Sequence, residues 1–226
     1  MLDRIKHNFS RHSFFFIGYF FFLILISGIL FFFDKKESSY WVNQHGQEVF
    51  DTFFKFITYL GDGWFAVVVI LFLFLLSPKI KFGFYGIVAF VFTALITQFS
   101  KRVLFADSLR PSNEYYREFK AGLWRQIDGV ELLGNNSFPS GHATCAFSVF
   151  CLLALISNNK YWGVFLFILA FLAAFSRVYL SQHFLEDIFV GSLIGCVGTL
   201  LIYSFLENLR WPEWTNKSII KRIISK

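Results

Sequence analysis

The chain predicts an all-α, polytopic membrane protein: a bundle of six transmembrane helices with an amphipathic helix lying in the interface. Three observations carry that prediction. Apolar residues make up 56% of the 226, and mean hydropathy is +0.55, more than a soluble domain of this length carries. Phenylalanine alone occurs 34 times. The apolar residues also gather into uncharged windows close to the roughly 20 helical residues that cross about 30 Å of hydrocarbon.

The first window is the unbroken run from Ser13 to Phe33. It follows Arg4, Lys6 and Arg11 as a signal peptide would, but its apolar stretch is too long and no small-x-small cleavage site follows, so it reads as a retained span. The second begins near Gly63 and ends at Ser77-Pro78, and the third covers Gly83 to Ser100. The fourth starts at Pro139-Ser140-Gly141-His142 and reaches Ile156, the fifth runs from Tyr161 to Phe175, and the sixth from Phe184 to Phe205. Several fall short of a full crossing unless the polar residues at their ends are counted in. Those residues therefore belong at helix ends near the membrane boundary.

Between the first two spans, Val49, Phe50, Phe53, Phe54, Phe56, Ile57 and Leu60 alternate with Asp51 and Lys55 in the pattern of an interfacial helix. Gly61-Asp62-Gly63 breaks it. The longest polar connection, from Lys101 to Phe138, carries Arg110-Pro111, and a loop of that length in a compact protein is usually functional. After Phe205, Trp211 and Trp214 precede Ile219, Ile220, Ile223 and Ile224 interleaved with Lys221 and Arg222, which reads as a basic interfacial anchor. Cys145, Cys151 and Cys196 fall inside spans and read as packing residues. No repeat or linker divides the chain, so residues 1–226 form a single membrane domain with a core at about 49–205 and a tail at 206–226.

Six spans place both ends on one side with eleven of the 21 lysines and arginines, a count too even to orient the protein alone. Four of the other ten, Lys101, Arg102, Arg110 and Arg177, sit beside the motifs described next, and twelve of the 15 acidic residues share that side. Both termini are therefore expected in the cytoplasm, with the motif loops outside an inner or plasma membrane. The net charge of +6 fits membrane topology and an anion site better than nucleic-acid binding.

The chemistry gathers in three places. Ser176-Arg177, then His183, then Asp187 place a cation, a histidine and a carboxylate in one short unit, with His183 and Asp187 four apart and expected on one face of a helix. Pro139-Ser140-Gly141-His142 adds a second histidine behind a glycine at a helix start, where free backbone N–H groups suit an anion. Lys101 and Arg110-Pro111 add further cations. Two guanidinium forks and an ammonium can hold the equatorial oxygens of a phosphoryl group, while two histidines offer a nucleophile and a proton carrier. Taken singly, each residue has a plainer reading: a histidine at a helix end, a snorkelling arginine, or a carboxylate at a helix N-terminus. Taken jointly at these spacings they point to a site, because charged groups near hydrocarbon are costly.

In these three motifs the chain resembles the type 2 phosphatidic acid phosphatase (PAP2) superfamily of membrane lipid phosphatases, relatives of the vanadium haloperoxidases. The second and third motifs match without gaps. The first departs: the family has six residues between lysine and Arg-Pro, whereas eight separate Lys101 from Arg110, and Val103 stands at the usual lysine position. Either Lys101 still reaches inward or Arg102 substitutes, with Lys101 preferred.

The resemblance implies that His183 attacks phosphorus to give a phosphohistidine, Asp187 orients it, and His142 protonates the leaving oxygen and then activates water. It implies phosphate contacts from Lys101 or Arg102, Arg110, Ser140, Gly141 and Arg177, with no metal and no cofactor. The substrate class it implies is a phosphorylated lipid, such as phosphatidic acid, phosphatidylglycerol phosphate, undecaprenyl diphosphate or lipid A. A lipid-to-lipid phosphotransferase and a non-catalytic lipid-binding membrane protein are the competing readings, and a soluble haloperoxidase conflicts with the spans. The loop from Ser112 to Ser137, with Glu114, Tyr115, Tyr116, Arg117 and Trp124, is expected to select the headgroup. Asn135-Asn136-Ser137 and Asn216-Lys217-Ser218 fit the glycosylation pattern and read as loop and tail. His7, His12 and His45 receive no role.

Overall fold

A computed structural model describes residues 2–157 and 159–219. They form eleven helices: α1 Leu2–Arg11, α2 Ser13–Phe32, α3 Lys35–Gln44, α4 Glu48–Ile57, α5 Gly63–Leu76, α6 Lys81–Phe99, α7 Pro111–Glu114, α8 Tyr116–Lys120, α9 Gly141–Ile156, α10 Trp162–Tyr179 and α11 Leu185–Leu206. Among the described residues the only β-pairing is an isolated antiparallel bridge between Leu109 and Asn135.

The six expected apolar windows coincide with α2, α5, α6, α9, α10 and α11. By length and composition four helices can cross a membrane alone: α2, α6 with its extension to Leu104, α10 and α11. The α4 segment and α5 together make a fifth candidate, bent by 56° at Asp62, while α9 is shorter at Gly141–Ile156. Short α9 is the best-covered helix, packed against α11, α10 and α6, so it needs less lipid-facing length than its neighbours.

Local signals set the helix ends. Asp34 starts α3 with a reciprocal capping box, accepting from Glu37 N–H at 2.7 Å while its own N–H reaches Glu37 Oε2 at 3.2 Å. Asp62 caps α5 through Trp64 N–H (2.9 Å), which fixes the break expected at Gly61-Asp62-Gly63. Ser140 caps α9 by accepting from Ala143 N–H at 3.3 Å. α1 and α3, which the sequence reading left unassigned, flank α2, and Asn8 on α1 donates to Ser204 near the end of α11 (3.1 Å).

In α4 the expected apolar face divides. Phe54 packs on Tyr179 with ring centroids 4.3 Å apart, whereas Val49, Phe50, Phe53 and Phe56 stay exposed. In the tail Trp211 packs on Tyr85 (5.4 Å) and donates its indole N–H to Leu206 O (2.8 Å), so the chain returns to the bundle there. Ile220, Lys221, Arg222, Ile223 and Ile224 lie outside the described residues. The three cysteines are buried without a disulfide, Cys151 and Cys196 facing each other at 3.9 Å.

The closest helix contact is between α9 and α11, made possible by Gly191 and Gly195. A Cβ at Gly195 would collide with Thr144 O and press on Ser148 N, and one at Gly191 would meet Ser140 O. Both obstacles are backbone, which cannot swing aside. Gly195→Val should therefore cost about 1–3 kcal/mol, seen as a lower thermal unfolding midpoint in detergent; an unchanged midpoint would contradict the tight α9–α11 packing.

Candidate active site

The site forms where α6 and α10 end and α9 and α11 begin. α10 stops in a tight turn in which the N–H groups of Gln182 and His183 both donate to Arg177 O, at 2.8 and 3.1 Å. Ser181 sits in this turn with φ +54°, the left-handed conformation that often closes a helix and that is unusual for serine. His183 consequently precedes α11 and does not share a helix face with Asp187, which corrects the expectation. The pair meets because Asp187 occupies the third position of α11 and folds back over the helix start.

Asp187 Oδ2 gathers three donors: His183 Nδ1 at 3.0 Å, Phe184 N–H at 3.0 Å and the Ser137 hydroxyl at 2.5 Å. Its Oδ1 is buried without a hydrogen-bond partner. With Nδ1 committed to the carboxylate, His183 keeps Nε2 free, so Nε2 is the nitrogen able to act as a nucleophile. His183 and Asp187 are 2% and 1% exposed.

Three cations converge on this pair. Lys101, Arg110 and Arg177 are each 8% exposed, and all three exert an electrostatic effect on His183. Their hydrogen-bond acceptors are neutral. Lys101 Nζ donates to Asn136 O (2.5 Å) and Ser137 O (3.2 Å), Arg110 to Asn135 O (2.9 Å) and Gln182 O (3.1 Å), and Arg177 to Thr58 Oγ1 (2.9 Å). Arg177 Nε is buried without a partner. Two carboxylates face these three positive charges: buried Asp187 acts on Lys101 and Arg110, and half-buried Asp62 acts on Arg177.

Lys101 turns inward because α6 ends in a π turn over Ser100–Leu104, closed by Phe105 N–H on Ser100 O (2.9 Å). The wider turn takes up part of the extra length in the first motif. Arg102, the alternative at that position, is exposed, so the inward cation is Lys101. The Leu109–Asn135 bridge then closes the base of the long loop, with Arg110 N–H on Gly134 O at 2.8 Å and Ser137 N–H on Ser108 O at 3.1 Å, which sets Arg110 beside Ser137.

At the start of α9 the expectation for Ser140 changes. Its N–H donates to Asp187 O (3.0 Å) and is engaged within the fold, while its hydroxyl caps the helix by accepting and keeps its own proton to donate. Gly141 and His142, at the first two helical positions, hold the N–H groups that a helix start leaves unpaired. A Cβ at Gly141 would meet nothing within 4 Å, which leaves room there for an anion. A cavity of about 300 Å³ is lined by His142, Arg177, Gln182, Thr58, Lys55 and Asp62. A second, of about 200 Å³, also reaches His142 and is lined by Phe90, Thr93, Ala94, Thr97 and Gly141.

The sequence reading missed Ser137, Thr58 and Gln182, which hold Asp187, Arg177 and Arg110 in place. Ser137 stood as the end of the headgroup loop and of a glycosylation pattern, although its place immediately before Phe138-Pro139-Ser140 was a signal that could have found it. The loop expected to select a headgroup buries Phe119 and Trp124. Trp124 is buried between Tyr115 (5.3 Å, stacked) and Phe119 (5.1 Å, stacked), and Glu114 pairs with Lys35 on α3 at 3.1 Å. Trp124 is thus a packing residue, while Tyr116 remains exposed.

A family model described as the PAP2 superfamily matches residues 82–211. The chain is similar to a lipid A 4′-phosphatase of Bacteroides thetaiotaomicron, 30% identical over 76 residues that make up 34% of each protein. It is also similar to a putative undecaprenyl-diphosphatase of Escherichia coli K12, 41% identical over 66 residues, 29% of this chain and 33% of that one. The chain thus spans about a third of the length of the curated relatives it matches. Among solved structures, LpxE of Aquifex aeolicus superposes with a TM-score of 0.59 at 27% identity, over 74% of this chain and 93% of that one. A transmembrane PAP2 type phosphatidylglycerolphosphate phosphatase of Bacillus subtilis superposes with a TM-score of 0.60 at 23% identity, over 87% and 97%, a likeness of fold.

Burial, then the charges of Arg110, Arg177 and Lys101, hold His183 well below the usual histidine pKa of 6.5. The folded state therefore binds this proton less readily than the unfolded chain, so His183 contributes stability that is present above about pH 6.5 and is lost as pH falls toward the folded pKa. Nitrogen-15 histidine NMR in detergent should show His183 neutral, protonated on Nδ1, at pH 6. An ordinary titration centred near 6.5 would contradict this electrostatic environment.

Proposed function

Because the chain belongs to the PAP2 superfamily, whose model spans more than half of it, we propose that this integral, multi-pass membrane protein is a metal-independent lipid phosphatase working through a phosphohistidine. The observation that carries the reading is the set of three buried cations whose hydrogen-bond partners are carbonyl and hydroxyl oxygens, and which outnumber the two carboxylates near them, Asp187 and Asp62. Unpaired buried charge is costly, and a phosphate dianion supplies the missing counter-charge.

In the first step His183 Nε2 attacks phosphorus, the bond to the lipid oxygen breaks, and His142 delivers a proton to that oxygen. Asp187, hydrogen-bonded at Nδ1, stabilises the charge that develops on the imidazole. In the second step His142 takes a proton from water, the resulting hydroxide attacks phosphorus, the P–N bond breaks, and inorganic phosphate leaves with His183 regenerated. Lys101, Arg110 and Arg177, with the N–H groups of Gly141 and His142, hold the equatorial oxygens throughout. The site's own cations supply the stabilisation that a metal would otherwise bring. The leaving group departs on the His142 side, where the cavity lined by Phe90, Thr93, Ala94 and Thr97 suits the lipid portion.

Relatives are named for lipid A, undecaprenyl diphosphate and phosphatidylglycerol phosphate. The substrate class assigned here is accordingly a lipid phosphomonoester or diphosphate. Both termini lie in the cytoplasm on this reading, and the site faces outward.

Purified protein in detergent with EDTA should release phosphate from at least one of phosphatidic acid, phosphatidylglycerol phosphate, undecaprenyl diphosphate and lipid A. Orthovanadate, a mimic of pentacoordinate phosphorus, should inhibit. His183→Ala should lower release about a thousandfold or more, and His142→Ala by about 10²–10⁴-fold. Activity that disappears in EDTA, or that persists in His183→Ala, would overturn the mechanism.

A further inference from the structure

Asn43 lies in the last turn of α3, outside residues 82–211 that match the family model. It is nevertheless 2% exposed, and its amide uses every hydrogen-bonding position it has. Nδ2 donates to Arg125 O at 2.8 Å and to Ser181 Oγ at 3.2 Å. Oδ1 accepts from Arg125 N–H at 2.8 Å and from Gln44 Nε2 at 3.1 Å.

The partners give this network its meaning. Ser181 Oγ also accepts from the Trp124 indole N–H at 3.0 Å, so two donors from different segments hold one hydroxyl. Ser181 is the left-handed residue of the turn between Arg177 and His183. Its conformation is strained for serine and persists only where surrounding contacts impose it. Holding that hydroxyl therefore fixes the path by which the chain leaves Arg177 and presents His183. Arg125 is itself anchored by a two-pronged pair with Asp51 (2.8 Å each) and by Tyr179 OH (3.1 Å), so Asn43 grips a rigid partner.

We propose that Asn43 is a positioning residue for the phosphoryl-transfer site, setting the Ser181 turn and through it the placement of His183 relative to Arg177. The inference rests on the phosphatase reading. It assigns to the N-terminal third of the chain a part in catalysis that the three motifs do not contain. Asn43 touches no substrate, so its loss acts on the geometry of reaction and not on lipid binding.

The test is steady-state kinetics of the full-length protein in detergent on whichever of the four lipids wild type hydrolyses. Wild type is compared with Asn43→Ala, Asn43→Asp and Lys36→Ala, each with its thermal midpoint and with amide hydrogen exchange over residues 177–183. Asn43→Asp keeps the shape but sets an oxygen against Arg125 O. Lys36→Ala removes a different link between α3 and the loop, the 2.5 Å pair with Glu118, and leaves the Ser181 turn alone. The expected result for both Asn43 variants is a fall in kcat of roughly 10- to 100-fold with KM within about threefold of wild type and faster exchange at 177–183, and for Lys36→Ala an unchanged kcat. Asn43 variants with wild-type kcat in the folded fraction, or with a lowered midpoint and nothing else, would overturn the inference and leave the phosphatase reading standing. A wild type that releases no phosphate from any of the four lipids would instead overturn that reading and the inference with it, so the two failures are told apart by which protein is inactive.

Discussion

A carboxylate in the first turn of α11 ties together the segments that make the site. Asp187 Oδ2 takes the Ser137 hydroxyl, the Phe184 N–H and His183 Nδ1, and the backbone carbonyl of the same residue takes the N–H of Ser140 at the head of α9. One residue therefore fixes the end of the long loop, the turn after α10 and the start of α9 relative to one another. The glycines at 191 and 195 continue the same arrangement one and two turns further on, letting α11 lie against the α9 backbone. Helix packing and site geometry are in this sense one constraint, since the Ser140–Asp187 bond and the glycine contacts join the same two helices.

Around this anchor the electrostatics are lopsided by construction. Positively charged groups at this depth ordinarily find carboxylates. The peripheral cations do: Lys35, Lys36, Lys81 and Arg125 pair with Glu114, Glu118, Glu207 and Asp51. The three central ones instead lean on carbonyl and hydroxyl oxygens, which orient the cations without cancelling them. That contrast within one molecule separates charges that hold the fold together from charges that, on the proposed reaction, are kept available for an anion.

Much of this was legible in the sequence, and the boundary of legibility has physical causes. The apolar windows located α2, α5, α6, α9, α10 and α11 because an uncharged run near 20 residues has few alternatives to a helix in a membrane. Two of the three motifs named His142, Arg177, His183 and Asp187 because charged and titratable residues stand out against phenylalanine and leucine. What spacing could not supply was the local backbone. His183 and Asp187 are four apart yet meet across a helix start, and the choice between Lys101 and Arg102 depended on a π turn that no residue type announces. Thr58 and Gln182 were invisible for a related reason, since a threonine or glutamine acquires its role from the partner that tertiary structure brings to it. Trp124 erred in the opposite direction: an aromatic residue in a polar loop suggested recognition, whereas stacking on Tyr115 and Phe119 makes it a plug.

The uncompensated charge has a consequence after the chemistry is over. A pocket whose cations outnumber its carboxylates does not distinguish, by charge alone, between the phosphoryl group of an arriving lipid and the free phosphate of a finished turnover. Once the lipid alcohol has withdrawn into the bilayer, the detached phosphate keeps every oxygen contact it had and loses only the hydrocarbon that tethered it. On the proposed reaction, then, the enzyme is its own product's receptor. Free phosphate and arriving lipid would then compete for the same three cations.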